Sequence, residues 1–200
     1  MRPCRQENPG RLRYYLLQLH LLVDAPILNL ITSERLSLRW LTADDAPFIL
    51  ELLTNPSWLQ YIGDKGLKTT EDARNYIVNG PMAMYEKYGF GLYLVERVAD
   101  GAALGLCGLI KRDGLADVDI GYGFMPRYWS QGYALESSLA VLDYGRKALG
   151  IERVVAITSD DNQASVRLLE KLGLRHTANV RLSDIAPELM LFTPQDAICI

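Results

Sequence analysis

Histidine and cysteine are scarce in these 200 residues, and their scarcity removes several chemistries at once. The two histidines, His20 and His176, leave little material for a histidine-based metal site, and none is expected. No Ser-His-Asp or Cys-His nucleophile is readable. The three cysteines, Cys4, Cys107 and Cys199, are scattered and odd in number, with neither a disulfide framework nor zinc-ligand spacing. A reducing compartment follows, and the cytoplasm is the expected location. Cys107 sits in an apolar strand and reads as core. No surplus of positive charge exists either. The formal net charge is −3, which speaks against nucleic acid as a bulk partner.

A long apolar run is also missing. Tyr14 to Val23 is the nearest approach, but Gln18 and His20 interrupt it, and it falls short of the about 20 residues that cross a bilayer. Arg2, Arg5, Arg11 and Arg13 precede it, as in a secretory signal. However, Asp24-Ala25-Pro26 stands where a small-x-small cleavage site would be. Residues 1–31 therefore read as an N-terminal extension, with a docked helix the expectation, and residues 32–196 as one domain. No membrane partner is expected.

Two phosphate motifs are absent as well. There is no G-x-x-x-x-G-K-[ST], and no G-x-G-x-x-G between a strand and a helix. What stands in that structural place is Gly121-Tyr122-Gly123-Phe124-Met125-Pro126-Arg127-Tyr128-Trp129-Ser130-Gln131-Gly132-Tyr133-Ala134. An alternating strand leads into it, and Leu135 to Leu149 reads as a helix after it. Strand, tight loop and helix N-terminus make an anion cradle. The first helical N–H groups lack partners, and the helix dipole adds about half a positive charge there. Gly132 supplies a φ that other residues resist. Ile120 to Leu135 contains no Asp or Glu, and Arg127 is cationic. The reading is a pyrophosphate site.

Arg35-Leu36-Ser37-Leu38-Arg39-Trp40-Leu41 alternates as a half-buried strand does. Thr42 and Asp45 open a helix that Thr54-Asn55-Pro56 stops, and Thr69 with Asp72 opens another. Gly80-Pro81 should kink or split that second helix before Met82–Tyr88. Phe90 to Arg97 and Ala103 to Lys111 flank Ala99-Asp100-Gly101 as a hairpin, and Asp117 to Met125 forms the fourth strand. Gly121 and Gly123 share one face of it. They mark a bulge, which would splay the strand from its neighbour, or a bulky core neighbour. Ile151 to Thr158 is a buried parallel strand, so strand, helix and strand make a βαβ crossover. Asn162 caps a helix that ends at Gly173.

Trp129-Ser130-Gln131-Gly132-Tyr133-Ala134 resembles the acetyl-CoA loop of the GNAT N-acetyltransferases, R/Q-x-x-G-x-G/A, at Gly132 and Ala134. Trp129 departs from the first position. That departure, with Ile120-Gly121-Tyr122 before it and Glu136 after it, is similar to the RimJ/RimL-type branch. A second stretch, Asn162 and Ser165 followed by Leu169-Glu170-Lys171-Leu172-Gly173-Leu174, also matches the family. The resemblance covers Thr32 to about Thr193. It implies an α/β GNAT fold, a mixed twisted sheet with splayed central strands flanked by helices. It further implies acetyl-CoA as cosubstrate and N-acetyl transfer to a primary amine.

Residue by residue, the resemblance implies that Trp129, Ser130, Gln131, Gly132, Tyr133 and Ala134 hold the pyrophosphate. Free N–H groups around Phe124 and Met125 would meet the pantetheine and the thioester carbonyl, an oxyanion-type role. Asn162 would bond the pantetheine arm or help set the loop, beside or instead of capping its helix. Ser165 would assist the leaving thiolate, or be a small first-turn residue. Arg127, Arg167 and Lys171 read as solvated charges within reach of phosphates. Asp117, Asp119, Glu34 and Asp184 are the carboxylates available as a base, beside a water relay; each reads first as a surface charge, and Asp119 is assigned the role. The acceptor is a peptide N-terminal α-amine or a small amine such as a polyamine or antibiotic. A non-catalytic acyl-CoA-binding module is the rival reading. The protein is expected as a monomer or homodimer.

Overall fold

The computed structural model describes residues 30–195. Strands β1 (Ile31–Thr32) and β2 (Leu36–Trp40) lead to helices α1 (Ala46–Leu53), α2 (Pro56–Tyr61) and α3 (Thr70–Ile77). A π-helical turn (Val78–Met82) joins α3 to α4 (Ala83–Tyr88). Strands β3 (Leu92–Arg97), β4 (Ala103–Ile110) and β5 (Val118–Phe124) precede α5 (Tyr133–Leu149). Then come β6 (Val154–Thr158), α6 (Gln163–Lys171), β7 (Leu174–Val180) and β8 (Leu189–Pro194). The eight strands form one sheet in the order β1-β2-β3-β4-β5-β6-β8-β7. Only the β5–β6 pair is parallel, as a crossover through α5 requires.

Local chemistry sets the element ends. Thr69 and Asp72 form the capping box of α3, with the Asp72 amide 3.1 Å from Thr69 Oγ1. At Gly80-Pro81 the helix divides into α3 and α4, as the sequence indicates, without ending. Pro81 sits inside a π-helical turn, the wider coil that absorbs its missing N–H. The stop at Thr54-Asn55-Pro56 is also a start that the sequence reading passed over. Asn55 accepts the Ser57 amide at 3.1 Å, and Pro56 occupies the first turn of α2.

Two cores form on opposite faces of the sheet. Leu94 and Leu106 pack with Ile49, Leu52, Trp58 and Ile77 from α1 to α3. Tyr93, Cys107 and Leu109 pack with Val141 of α5 and Leu169 of α6. Fully burying one such leucine is worth about 1.5–3 kcal/mol. Cys107 lies wholly within this second core, and burial pushes its thiol up to about 11, so it is inert as the sequence indicates. Ile31, assigned from sequence to the extension, belongs to the sheet: it is buried and pairs with Leu38. The remainder of the extension, with its basic start and apolar run, lies outside the described residues. Among the described residues, no helix is long and apolar enough to cross a membrane.

Candidate active site

The sheet opens between β5 and β6. Only Val118↔Val154 and Asp119↔Val155 pair across them, after which β6 turns to β8. On its other side β5 stays paired with β4 as far as Phe124↔Gly105, without a register shift. The splay therefore needs no bulge. Gly121 and Gly123 serve the other purpose, close side-chain packing. A Cβ at Gly123 would lie 2.4 Å from Trp58, and one at Gly121 would lie 2.6 Å from Ile110.

The opening leaves backbone groups facing the gap, and parity fixes which ones. The Met125 N–H donates to Leu104 O at 3.0 Å, so it is not free, contrary to the sequence expectation. Alternation in an antiparallel ladder then turns the Phe124 and Tyr122 amides away from β4, toward the gap. The Phe124 carbonyl, on that same side, accepts the Trp129 indole N–H at 2.9 Å. That bond leaves the Phe124 N–H as the donor at the rim. Trp129 thereby ties the loop to the end of β5, while its ring is half-exposed.

The loop has the conformation of an anion cradle. Ser130 (φ 60°) and Gly132 (φ 83°) are both left-handed, and Gly132 opens α5 with no side-chain cap. The Tyr133, Ala134 and Leu135 amides precede the first intrahelical bond, from the Glu136 N–H to Gly132 O at 3.0 Å. Gln131 Nε2 donates back to Arg127 O at 3.1 Å and closes the loop on itself. Arg127 turns away to pair with Glu51 at 2.7 Å. Arg167 and Lys171 line the cleft, and no ion pair holds them among the described residues.

Across the gap, the Asn162 side chain accepts the Ser165 N–H at 3.1 Å, the cap that sequence indicates. Among the described residues only the oxygen of Asn162 is engaged, so its NH₂ is left to donate. Ser165 Oγ lies 2.8 Å from Tyr122 Oη. Burial pushes the Tyr122 phenol well above its usual range, and the Ser165 contact only partly offsets this. Tyr122 is a site residue that sequence reasoning missed. The signal was its place in the Ile120-Gly121-Tyr122 run, two residues before Phe124 on the same face.

Of the four carboxylates, only Asp119 lines the cleft. Asp117 pairs with Arg153 at 2.8 Å, and Asp184 lies in the exposed loop between β7 and β8. Asp119 is no surface charge: it is 1% exposed. Arg112 Nε holds Oδ2 at 2.5 Å, while Oδ1 makes no full hydrogen bond among the described residues, the Ile157 amide acting on the carboxyl more weakly. Burial pushes the carboxyl up to about 6 against the pull of Arg112. It lies on the β5 face that meets α2, opposite Tyr122.

These groups share one cleft of about 1070 Å³. Its charged lining residues are Lys65, Arg112, Arg167 and Lys171 against Asp119 and Asp161, four cations to two carboxylates. Among the described residues, no cluster of three metal-ligating side chains is found.

Comparison with known proteins agrees with this geometry. The Acetyltransferase (GNAT) domain family matches residues 35–175. The uncharacterized N-acetyltransferase YoaA of Bacillus subtilis is 32% identical over 155 residues, 76% of this chain and 86% of YoaA. A GNAT-family acetyltransferase structure from Bacillus anthracis superposes with a TM-score of 0.68 at 26% identity, covering 82% of this chain and 96% of that one. RimL, a ribosomal L7/L12 alpha-N-protein acetyltransferase in complex with coenzyme A, gives a TM-score of 0.69 at 19% identity, covering 84% and 96%.

Proposed function

Because the chain belongs to the GNAT acetyltransferase family and is an acetyl-CoA-dependent acyltransferase, we propose that it acetylates the α-amine of a peptide N-terminus. The observation that carries this reading is the sparse acidic lining of the cleft: its carboxylates are Asp119, already paired with Arg112, and Asp161. A polyamine or aminoglycoside brings several positive charges and finds few partners there. A peptide N-terminus brings one, next to neutral backbone. An α-amine, with a pKa of about 7.7–8, is also partly neutral at physiological pH, whereas a lysine amine at about 10.4 is not.

Acetyl-CoA supplies an activated acyl group on a thiol leaving group. The amides of Gly132, Tyr133 and Ala134 hold its pyrophosphate, supported by Trp129, Ser130 and Gln131. The Phe124 N–H, together with that of Tyr122, bonds the arm and the thioester carbonyl, while the Asn162 NH₂ bonds the arm from the α6 side. Asp119 Oδ1 orients the incoming amine and takes its proton, with Arg112 keeping the carboxylate ionised. Ser165 donates a hydrogen bond toward the departing sulfur, Tyr122 holds the Ser165 hydroxyl in place, and the thiolate takes its proton from solvent. A thiol with a pKa near 8.5 leaves without much help, so this donation assists the reaction and does not decide it. Residues 31–196 form the catalytic unit, working in the cytoplasm as a monomer or homodimer.

The test is acetylation of a peptide bearing both a free N-terminus and a lysine, with spermidine and an aminoglycoside as competitors, read by CoA release. Turnover confined to spermidine would replace the peptide reading with the small-amine one. No turnover with any amine, despite CoA binding, would favour a binding module.

A further inference from the structure

Arg35 lies in the turn between β1 and β2, far from the loop in sequence, yet it touches the loop at its centre. Its Nη1 donates to the Gln131 carbonyl at 3.0 Å. In a trans peptide, the carbonyl of one residue and the N–H of the next point opposite ways. Holding the Gln131 carbonyl against Arg35 therefore aims the Gly132 N–H away from Arg35. It also keeps a carbonyl dipole, which would repel an anion, out of the cradle.

The guanidinium is itself held in place. Nε donates to Glu136 Oε2 at 2.7 Å, and Nη2 lies 2.6 Å from the same oxygen. Glu136 Oε1 accepts both the Arg35 backbone N–H and the Ser33 hydroxyl, each at 2.8 Å. Burial opposes ionisation of Glu136. The Arg35 amide, the Ser33 hydroxyl and the guanidinium outweigh it and hold the carboxyl below its usual range. Glu136 stands in the first turn of α5, so the β1–β2 turn, the loop and the helix start are braced together. Arg35 also lies over the Tyr133 ring, 4.7 Å from its centroid. Glycine permits this approach, because a Cβ at Gly132 would come within 3.3 Å of Nη2. A half-exposed ion pair contributes little to stability by itself. The consequence of this one is loop geometry.

We infer that Arg35 is a positioning residue for phosphate binding: by pinning the Gln131 carbonyl it turns the Gly132 amide toward the pyrophosphate of the cosubstrate. The inference rests on the acetyl-CoA reading of the cleft, and the experiment separates the two. Wild type, R35K and R35Q are titrated with CoA by calorimetry. The same three are titrated with pantetheine, which lacks the pyrophosphate, by NMR. R35Q is expected to weaken CoA about tenfold or more, and R35K by several-fold, since lysine keeps the charge but loses the fork. Pantetheine affinity stays at the wild-type value in both. CoA binding by R35Q at wild-type strength overturns the inference, as does equal loss for CoA and pantetheine. R35K indistinguishable from wild type overturns the pinning geometry in favour of charge alone. Should R35Q fail to fold, E136Q replaces it, with the same selective loss for CoA expected and undiminished CoA affinity overturning the inference. A wild-type protein that ignores CoA removes the cofactor reading itself.

Discussion

Tyr122 Oη of β5 and Ser165 Oγ of α6 stand 2.8 Å apart, joining the two sides of the gap where the sheet opens. The contact links the strand that presents the rim amides to the helix whose first turn Asn162 caps. The contact holds the Ser165 hydroxyl in one orientation. S165A is expected to lower kcat about tenfold with little change in acetyl-CoA affinity, and Y122F by a smaller factor in the same parameter. Kinetics that leave kcat untouched in S165A would make Ser165 a structural residue.

The cradle is tested at Gly132. Its φ of 83° is unfavourable for any side chain, and aspartate adds a negative charge at the proposed pyrophosphate site. G132D is expected to weaken acetyl-CoA binding on the order of 100-fold or more in calorimetry, with the fold retained by circular dichroism. Undiminished affinity would remove the cofactor assignment.

Asp119 predicts a pH dependence of two kinds. Its folded-state pKa, about 6, lies above the usual carboxylate value, so the native state favours the protonated form. Its contribution to stability is complete below about pH 4 and is lost as pH rises through about 6, on the order of 3 kcal/mol. D119N removes that slope, which denaturant melts at pH 4 and pH 7 measure. For activity, the wild-type kcat/KM should carry an acid limb near pH 6 that D119N lacks. An acid limb that persists unchanged in D119N would assign the proton to a water relay.

Asn162 has two roles that separate by measurement. N162A loses the bond to the Ser165 amide, a cap worth about 1 kcal/mol, and also the NH₂ donor of a residue that lines the cleft. Both a lower melting temperature and a weaker acetyl-CoA affinity are expected. N162D, which keeps the cap oxygen and loses the NH₂ donor, should recover the first and not the second.

A chain beginning at Asn29 is expected to fold and bind acetyl-CoA, because the Leu30 amide already donates to Leu38 O in the sheet. Aggregation of that shortened chain, with the full chain soluble, would mean that residues 1–28 pack on the domain.

Local signals in the sequence were enough for most of the helix ends and for the conformation of the loop at Gly132. Thr69 with Asp72, Gly132, Asn162 and Gly173 each announce a helix end through side chain or φ preference, independent of the rest of the chain. Gly121 and Gly123 were ambiguous, since a bulge and a packed neighbour require the same residue type. Only the placement of Trp58 and Ile110 decides between them. The free amide at Phe124 rather than Met125 depends on ladder parity, which composition does not carry. Asp119 read as a surface charge because burial in mid-strand and a partner at Arg112 arise only when the β4–β5 turn and β5 are folded together. Arg35 carried no signal at all: its partners, Gln131 and Glu136, lie about a hundred residues away in the chain. Strands β7 and β8 were passed over, their mixed composition being legible only against the β6 edge they complete.

The central claim is the acceptor, and mass spectrometry of one peptide tests it most directly. The peptide carries a free N-terminus and an internal lysine and is incubated with the protein and acetyl-CoA across pH 6 to 10. The account predicts a single acetyl group on the N-terminus, at a rate that rises with pH and levels off near the α-amine pKa of about 8. Acetylation mainly at the lysine, at a rate still climbing toward about pH 10, would contradict it.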